Sequence, residues 1–218
     1  MTMKCSFITV ILGLVIPTAA IIECHNNGCP DKKLHLYLGG CNSVQKSRSP
    51  DCVAAMHRFC NDKCSWCGGV SRELGDNVFG VICFESNSHY VSIQELQTYN
   101  SLCHVGISQS NDCISAIHHW CEASGFGRVG IAQEVEDDRL FLRCFEATWY
   151  GTVNIHDLRN QHGGCNNVSK GSNANCVAAI HRWCSANGWG SHGLAQDFGN
   201  GVISVACFDS FWHGNVAL

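Results

Sequence analysis

Three stretches of this chain carry the same helical stripe. Cys52, Ala55, Met56, Phe59 and Cys60 fall at i, i+3, i+4, i+7 and i+8, as do Cys113, Ala116, Ile117, Trp120 and Cys121, and Cys176, Ala179, Ile180, Trp183 and Cys184. Apolar positions at that period turn one face of an α-helix toward a core. Ser49 with Pro50, Asn111 and Asn173 stand where N-caps belong, and Gly125 and Gly188 where the second and third helices stop.

Each stripe is followed by a related segment, Gly69 to Glu73, Gly130 to Glu134 and Gly193 to Asp197, which predicts a glycine-rich turn. Val78 to Phe84, Leu140 to Phe145 and Val202 to Phe208 then predict strands, since β-branched and aromatic residues run up to a cysteine. Trp149-Tyr150-Gly151, Trp212-His213-Gly214 and Ser88-His89-Tyr90 read as polar aromatic loops, and Val91-Ser92-Ile93 and Val153-Asn154-Ile155 as short second strands. The predicted class is α+β: three tandem, small, disulfide-rich modules, each one helix packed on a short antiparallel sheet.

The cysteines mark the repeat independently. Cys41, Cys52, Cys60 and Cys83 are separated by 10, 7 and 22 residues; Cys103, Cys113, Cys121 and Cys144 by 9, 7 and 22; Cys165, Cys176, Cys184 and Cys207 by 10, 7 and 22. A fixed period of this kind is the signature of an array. Met1 to Ala20 reads as a secretory signal peptide, with Lys4, an apolar run and small residues before the cut. The expected divisions are 1–20, 21–87, 88–149 and 150–218. Cys5 leaves with the leader, so sixteen cysteines remain, an even number that predicts eight disulfides in a secreted chain. The two cysteines on each stripe lie about 12 Å apart along the helix and cannot bond each other. First-to-second with third-to-fourth and first-to-third with second-to-fourth both stay open. Cys24, Cys29, Cys64 and Cys67 belong to the first module alone and suggest two bridges from the N-terminal segment to the post-helix turn. The first module also lacks an opening Val-x-Ile, and the chain ends on Val216-Ala217-Leu218. A ring closed by the C-terminal strand and a string of beads are both compatible with that.

Fourteen basic and 18 acidic residues give a net charge of −4, and removing Lys4 with the leader makes it −5. That balance provides no footprint for nucleic acid or an anionic membrane. Nothing after the leader is long and apolar enough to insert in a bilayer. Asn167-Val168-Ser169 is a glycosylation sequon.

His57, His118 and His181 recur on the helices, followed by Arg58, His119 and Arg182. No histidine recurs three or four positions away to complete a metal pair, so loop-bonding imidazoles are expected, with no metal and no cofactor. Glu73, Glu134 and Asp197 recur after the helices, and Glu85, Glu146 and Asp209 after the strands. As acid pairs they are the best catalytic candidate, but no nucleophile elbow, zinc helix or free cysteine supports an enzyme. Gln133, Glu134, Trp149, Tyr150, Trp189, Gln196, Asp197, Trp212 and His213, with Phe126 beside them, combine flat aromatic faces with hydrogen-bonding groups, as a glycan site requires. The expected function is a secreted, non-enzymatic, three-site lectin binding glycans or an extracellular protein. A structural, matrix, defence or toxin-like protein is the alternative, and a glycan-acting hydrolase ranks below both.

Overall fold

All three helical stripes form helices: α1 (Pro50–Asn61), α3 (Asn111–Ala123) and α5 (Ala174–Ala186). The computed structural model describes residues 33–43, 49–75, 78–167, 173–199 and 201–217, without the side chains of 72–75, 78, 79, 107 and 217. The expected leader, Cys24 and Cys29 lie outside the described residues. Ser49 and Asn173 cap α1 and α5, accepting from Cys52 N and Cys176 N. The middle cap is Ser110 rather than Asn111, which is already the first helical residue. Gly125 and Gly188 have φ of 72° and 69°, and each helix closes with a paired bond set, Gly125 N to Glu122 O with Phe126 N to Cys121 O, and Gly188 N to Ser185 O with Trp189 N to Cys184 O.

The strands are β1 (Cys67–Gly75), β2 (Val78–Glu85), β3 (Asn87–Ser92), β4 (Val129–Glu136), β5 (Arg139–Phe145), β6 (Trp149–Asn154), β7 (His192–Gly199), β8 (Val202–Phe208) and β9 (Trp212–Ala217). They form three antiparallel three-stranded sheets, ordered β1-β2-β9, β3-β5-β4 and β6-β8-β7. Three expectations change here. The segments Gly69 to Glu73, Gly130 to Glu134 and Gly193 to Asp197 are strands rather than turns. Their glycines serve close packing: a Cβ on Gly130 would stand 2.8 Å from Ile117 O and 2.9 Å from Cys121 Sγ, where the strand crosses its helix. The Trp149 and Trp212 segments are also strand rather than loop, and by register Asn87, not Ser88, matches them. Ile93 and Ile155, expected in strands, instead open short helices α2 (Ile93–Gln97) and α4 (Ile155–Gln161), capped by Ser92 and Asn154.

The middle strand of each sheet carries Cys-Phe near its C-terminal end, and adjacent strand residues face opposite ways. Cys83, Cys144 and Cys207 face the helices and bond Cys60, Cys121 and Cys184; Cys41, Cys103 and Cys165 bond Cys52, Cys113 and Cys176. The pairing is thus first-to-second and third-to-fourth. Cys64 bonds Cys67 within one turn, which replaces the expected bridges to the N-terminal segment. No helix among the described residues is long and apolar enough to cross a membrane.

Phe84, Phe145 and Phe208 face away from the helices and meet, with centroids 4.4, 5.0 and 5.8 Å apart, in a core shared by all three sheets. Around it the contacts run cyclically: α1 lies on β4, α3 on β7 and α5 on β1. β9 pairs with β2 from Val78↔Ala217 to Cys83↔Trp212, and Val216 enters the core beneath α1. The first and last strands therefore share one sheet, which settles closure against beads.

Candidate functional site

The recurring polar residues lie mostly between sheets. β4 and β7 carry bulges at Gln133 and Gln196, and a bulge re-aims a side chain. Gln133 Oε1 accepts from Gly69 N at 2.7 Å and Gln196 Oε1 from Gly130 N at 2.9 Å, each glutamine being 1% exposed. Glu134 takes a two-pronged contact from Arg58, Nε at 2.9 Å and Nη2 at 3.1 Å, and Asp197 lies 3.6 Å from His119. These four proposed ligand residues, with Arg58 and His119 on the helices, join one sheet to the next.

The helix histidines are buried as well. His118 Nδ1 bonds Arg128 O, and its Nε2 lies 2.8 Å from the Tyr150 hydroxyl, so Tyr150 also belongs to a seam. Burial lowers the pKa of His118 and raises that of Tyr150. Burial, reinforced by Arg143, pulls His57 from 6.5 to about 4. Among the described residues, His118, His119 and Glu122 approach closely enough for a cation. Both ring nitrogens of His118 are already engaged, so the donor set does not fit one.

Trp149, Trp183, Trp189 and Trp212 pack at the helix ends. Trp149 stacks on Trp189 at 4.4 Å, with Trp183 against both; Trp212 meets Phe59 at 5.4 Å and carries Lys63 Nζ 4.3 Å above its ring. Trp149 and Trp212 lie over Gly151 and Gly214, where a Cβ would come within 2.6 and 2.7 Å of the indoles. In the second sheet Asn87 replaces the tryptophan, and His89 takes the glycine's place to stack on Phe126 at 3.8 Å. His213 alone of the proposed ligand residues on these strands is exposed.

An open concavity lies at the end of the shared core. Its volume is about 350 Å³, and Phe84, Phe145 and Phe208 form its floor, with Glu85, Glu146, Thr148, Asp209, Ser210 and Phe211 around them. Three carboxylates and no basic side chain line it. Ser191 donates to Asp209 from both N and Oγ, at 3.0 Å each, and holds that carboxyl below its ordinary range. Phe211 is 56% exposed, and Trp66, whose carbonyl accepts from Ser86 N, is 61% exposed. The acids after the strands therefore converge, while Glu134 and Asp197 stay at the seams. Of the acid pairs considered for hydrolysis, Glu134 with Glu146 and Asp197 with Asp209 are divided between seam and pocket, and the side chain of Glu73 lies outside the described residues.

Sequence reasoning passed over Arg143, which is 4% exposed and takes the inward position held by Ile82 and Ala206 in the other sheets. Its guanidinium lies 5.2 Å from the Phe141 ring centre and reaches Ser86 O at 3.5 Å, and burial lowers its pKa. A cation inside an otherwise apolar strand is the signal that marked it. No protein-family model, curated protein or solved structure matches this chain.

Proposed function

We propose that the chain is a secreted, non-enzymatic recognition protein of three tandem modules, divided near 87/88 and 149/150, with Asn167 glycosylated. It binds carbohydrate at one central mouth instead of at three separate sites. The observation that carries this reading is the pocket floored by three phenylalanines and ringed by Glu85, Glu146 and Asp209. Its volume falls in the range of small-ligand sites, which runs from about 300 to about 1,000 Å³. Phe211, 56% exposed at the rim, offers an aromatic face to the apolar side of a sugar ring, and carboxylates accept from hydroxyls and pair with ammonium groups. An amino sugar presents all three features. The seven cysteine pairs among the described residues fit an oxidising, extracellular compartment.

The test is a glycan array that includes amino sugars, probed with native protein and with a Glu85→Gln/Glu146→Gln double variant. Both side chains are exposed, so the variant keeps its melting temperature. Binding should weaken at least about tenfold, the loss expected for one charge-assisted bond. A blank array, or equal binding by both proteins, would end the lectin reading in favour of a structural or defence protein.

A further inference from the structure

The three seams are not built alike. In two of them a glutamine accepts from the glycine beneath a helix, Gln133 from Gly69 and Gln196 from Gly130. The residue in register for the third is Arg72, which offers no acceptor. Gly193 N donates instead to Nδ1 of His181 on its own helix, at 3.0 Å. An imidazole nitrogen accepts a hydrogen bond only while it carries no proton. At the second seam the Tyr150 hydroxyl can rotate to accept from a charged His118; an amide N–H has no such second role.

His181 is 2% exposed, and its ring centre lies 5.6 Å from that of the fully buried His192. His192 in turn lies 5.2 Å from His213 on β9. Ser210 Oγ joins the two, at 2.9 Å from His192 Nε2 and 3.2 Å from His213 Nδ1. The column runs from α5 through β7 to β9, across the seam where the ring closes, and its last member reaches solvent. Among the described side chains, the ionisable neighbours on these elements are Arg182 on α5, Asp209 after β8 and Asp197 farther along β7. α4 packs on α5 through Leu158 and keeps His156, Asp157 and Arg159 exposed.

We propose that His181, His192 and His213 form a proton-operated latch on the third seam. Acid charges His181, takes the acceptor from Gly193 N and loosens β7 from α5 at the seam where His192 meets His213 of β9. The seams held by Gln133 and Gln196 keep their amide bonds. Ser210 and Asp209 also line the central pocket, so the latch sets the shape of that mouth; this consequence rests on reading the pocket as the binding site.

Amide hydrogen exchange on the unmodified protein tests the latch without any ligand. Protection of Gly193 N–H, corrected for intrinsic rates, should fall at least about twofold relative to Gly69 and Gly130 between about pH 7.5 and about pH 4, the range in which buried His57 also titrates. Parallel behaviour of the three amides would overturn the proposal. His181→Gln supplies an acceptor that does not titrate, and it should abolish the difference between the two pH values. Persistence of that difference in the variant would overturn the proposal equally. A blank glycan array would remove the binding site and leave this result standing.

Discussion

Replacing Gln133 by methionine separates the seam's hydrogen bond from its packing. Methionine keeps the length and most of the volume but offers no carbonyl oxygen. Gly69 N would then lose its 2.7 Å acceptor in a place closed to water, since Gln133 is 1% exposed. A buried donor left without a partner costs about 1–3 kcal/mol. For a folded unit of this size, each kcal/mol moves the melting point by about 2–4 °C, so a fall of about 4–8 °C is expected for a mid-range loss. Gln133→Ala should cost more, because it leaves a cavity as well. Calorimetry gives the melting points, and hydrogen exchange reports whether Gly69 N–H alone loses protection. A methionine variant within about 0.5 kcal/mol of the parent, with Gly69 still protected, would show that the seam does not depend on this bond.

Two further outcomes are expected. His57 stays neutral in the folded protein down to about pH 4 against 6.5 when unfolded. Its contribution is therefore full above pH 6.5 and is lost as pH falls toward 4, by about 3 kcal/mol in total. Denaturant unfolding of the parent and of His57→Gln across that window should show a shallower slope for the variant, and equal slopes would refute the assignment. Val216→Asp places a carboxylate in the core beneath α1, where Met56 and Val81 lie, and should cost at least about 3 kcal/mol. An unchanged melting point would mean that β9 does not pair with β2.

The helices were readable because the stripes, caps and stop glycines all point the same way, and a stripe of five residues tolerates one misplaced cap such as Asn111. The strands β4 and β7 were misread because glycine was weighed as a turn former. At Gly130 and Gly193 the missing side chain instead lets a strand pass under a helix beside a disulfide, a tertiary demand that no local pattern states. The same holds for Gly151, which makes room for an indole two residues away. Gln133 and Gln196 looked like ligand residues because exposed and buried glutamines have the same spelling; only the bulge shows that they turn inward. Glu85, Glu146 and Asp209 were visible as a recurring set, but their convergence depends on Phe84, Phe145 and Phe208 meeting, which requires three separate sheets to close on one another.

The first sheet takes its third strand from the far end of the chain, with 126 residues between Glu85 and Trp212. During synthesis, β1, β2 and α1 emerge long before β9 exists, so the β2 edge waits unpaired while the second and third sheets assemble. Open edges invite pairing with the wrong strand. The Cys60–Cys83 link can form in that interval and hold β2 to its helix. Final docking of β9 is then a late step on the path to the native fold, and the newly made protein is most exposed to aggregation just before it.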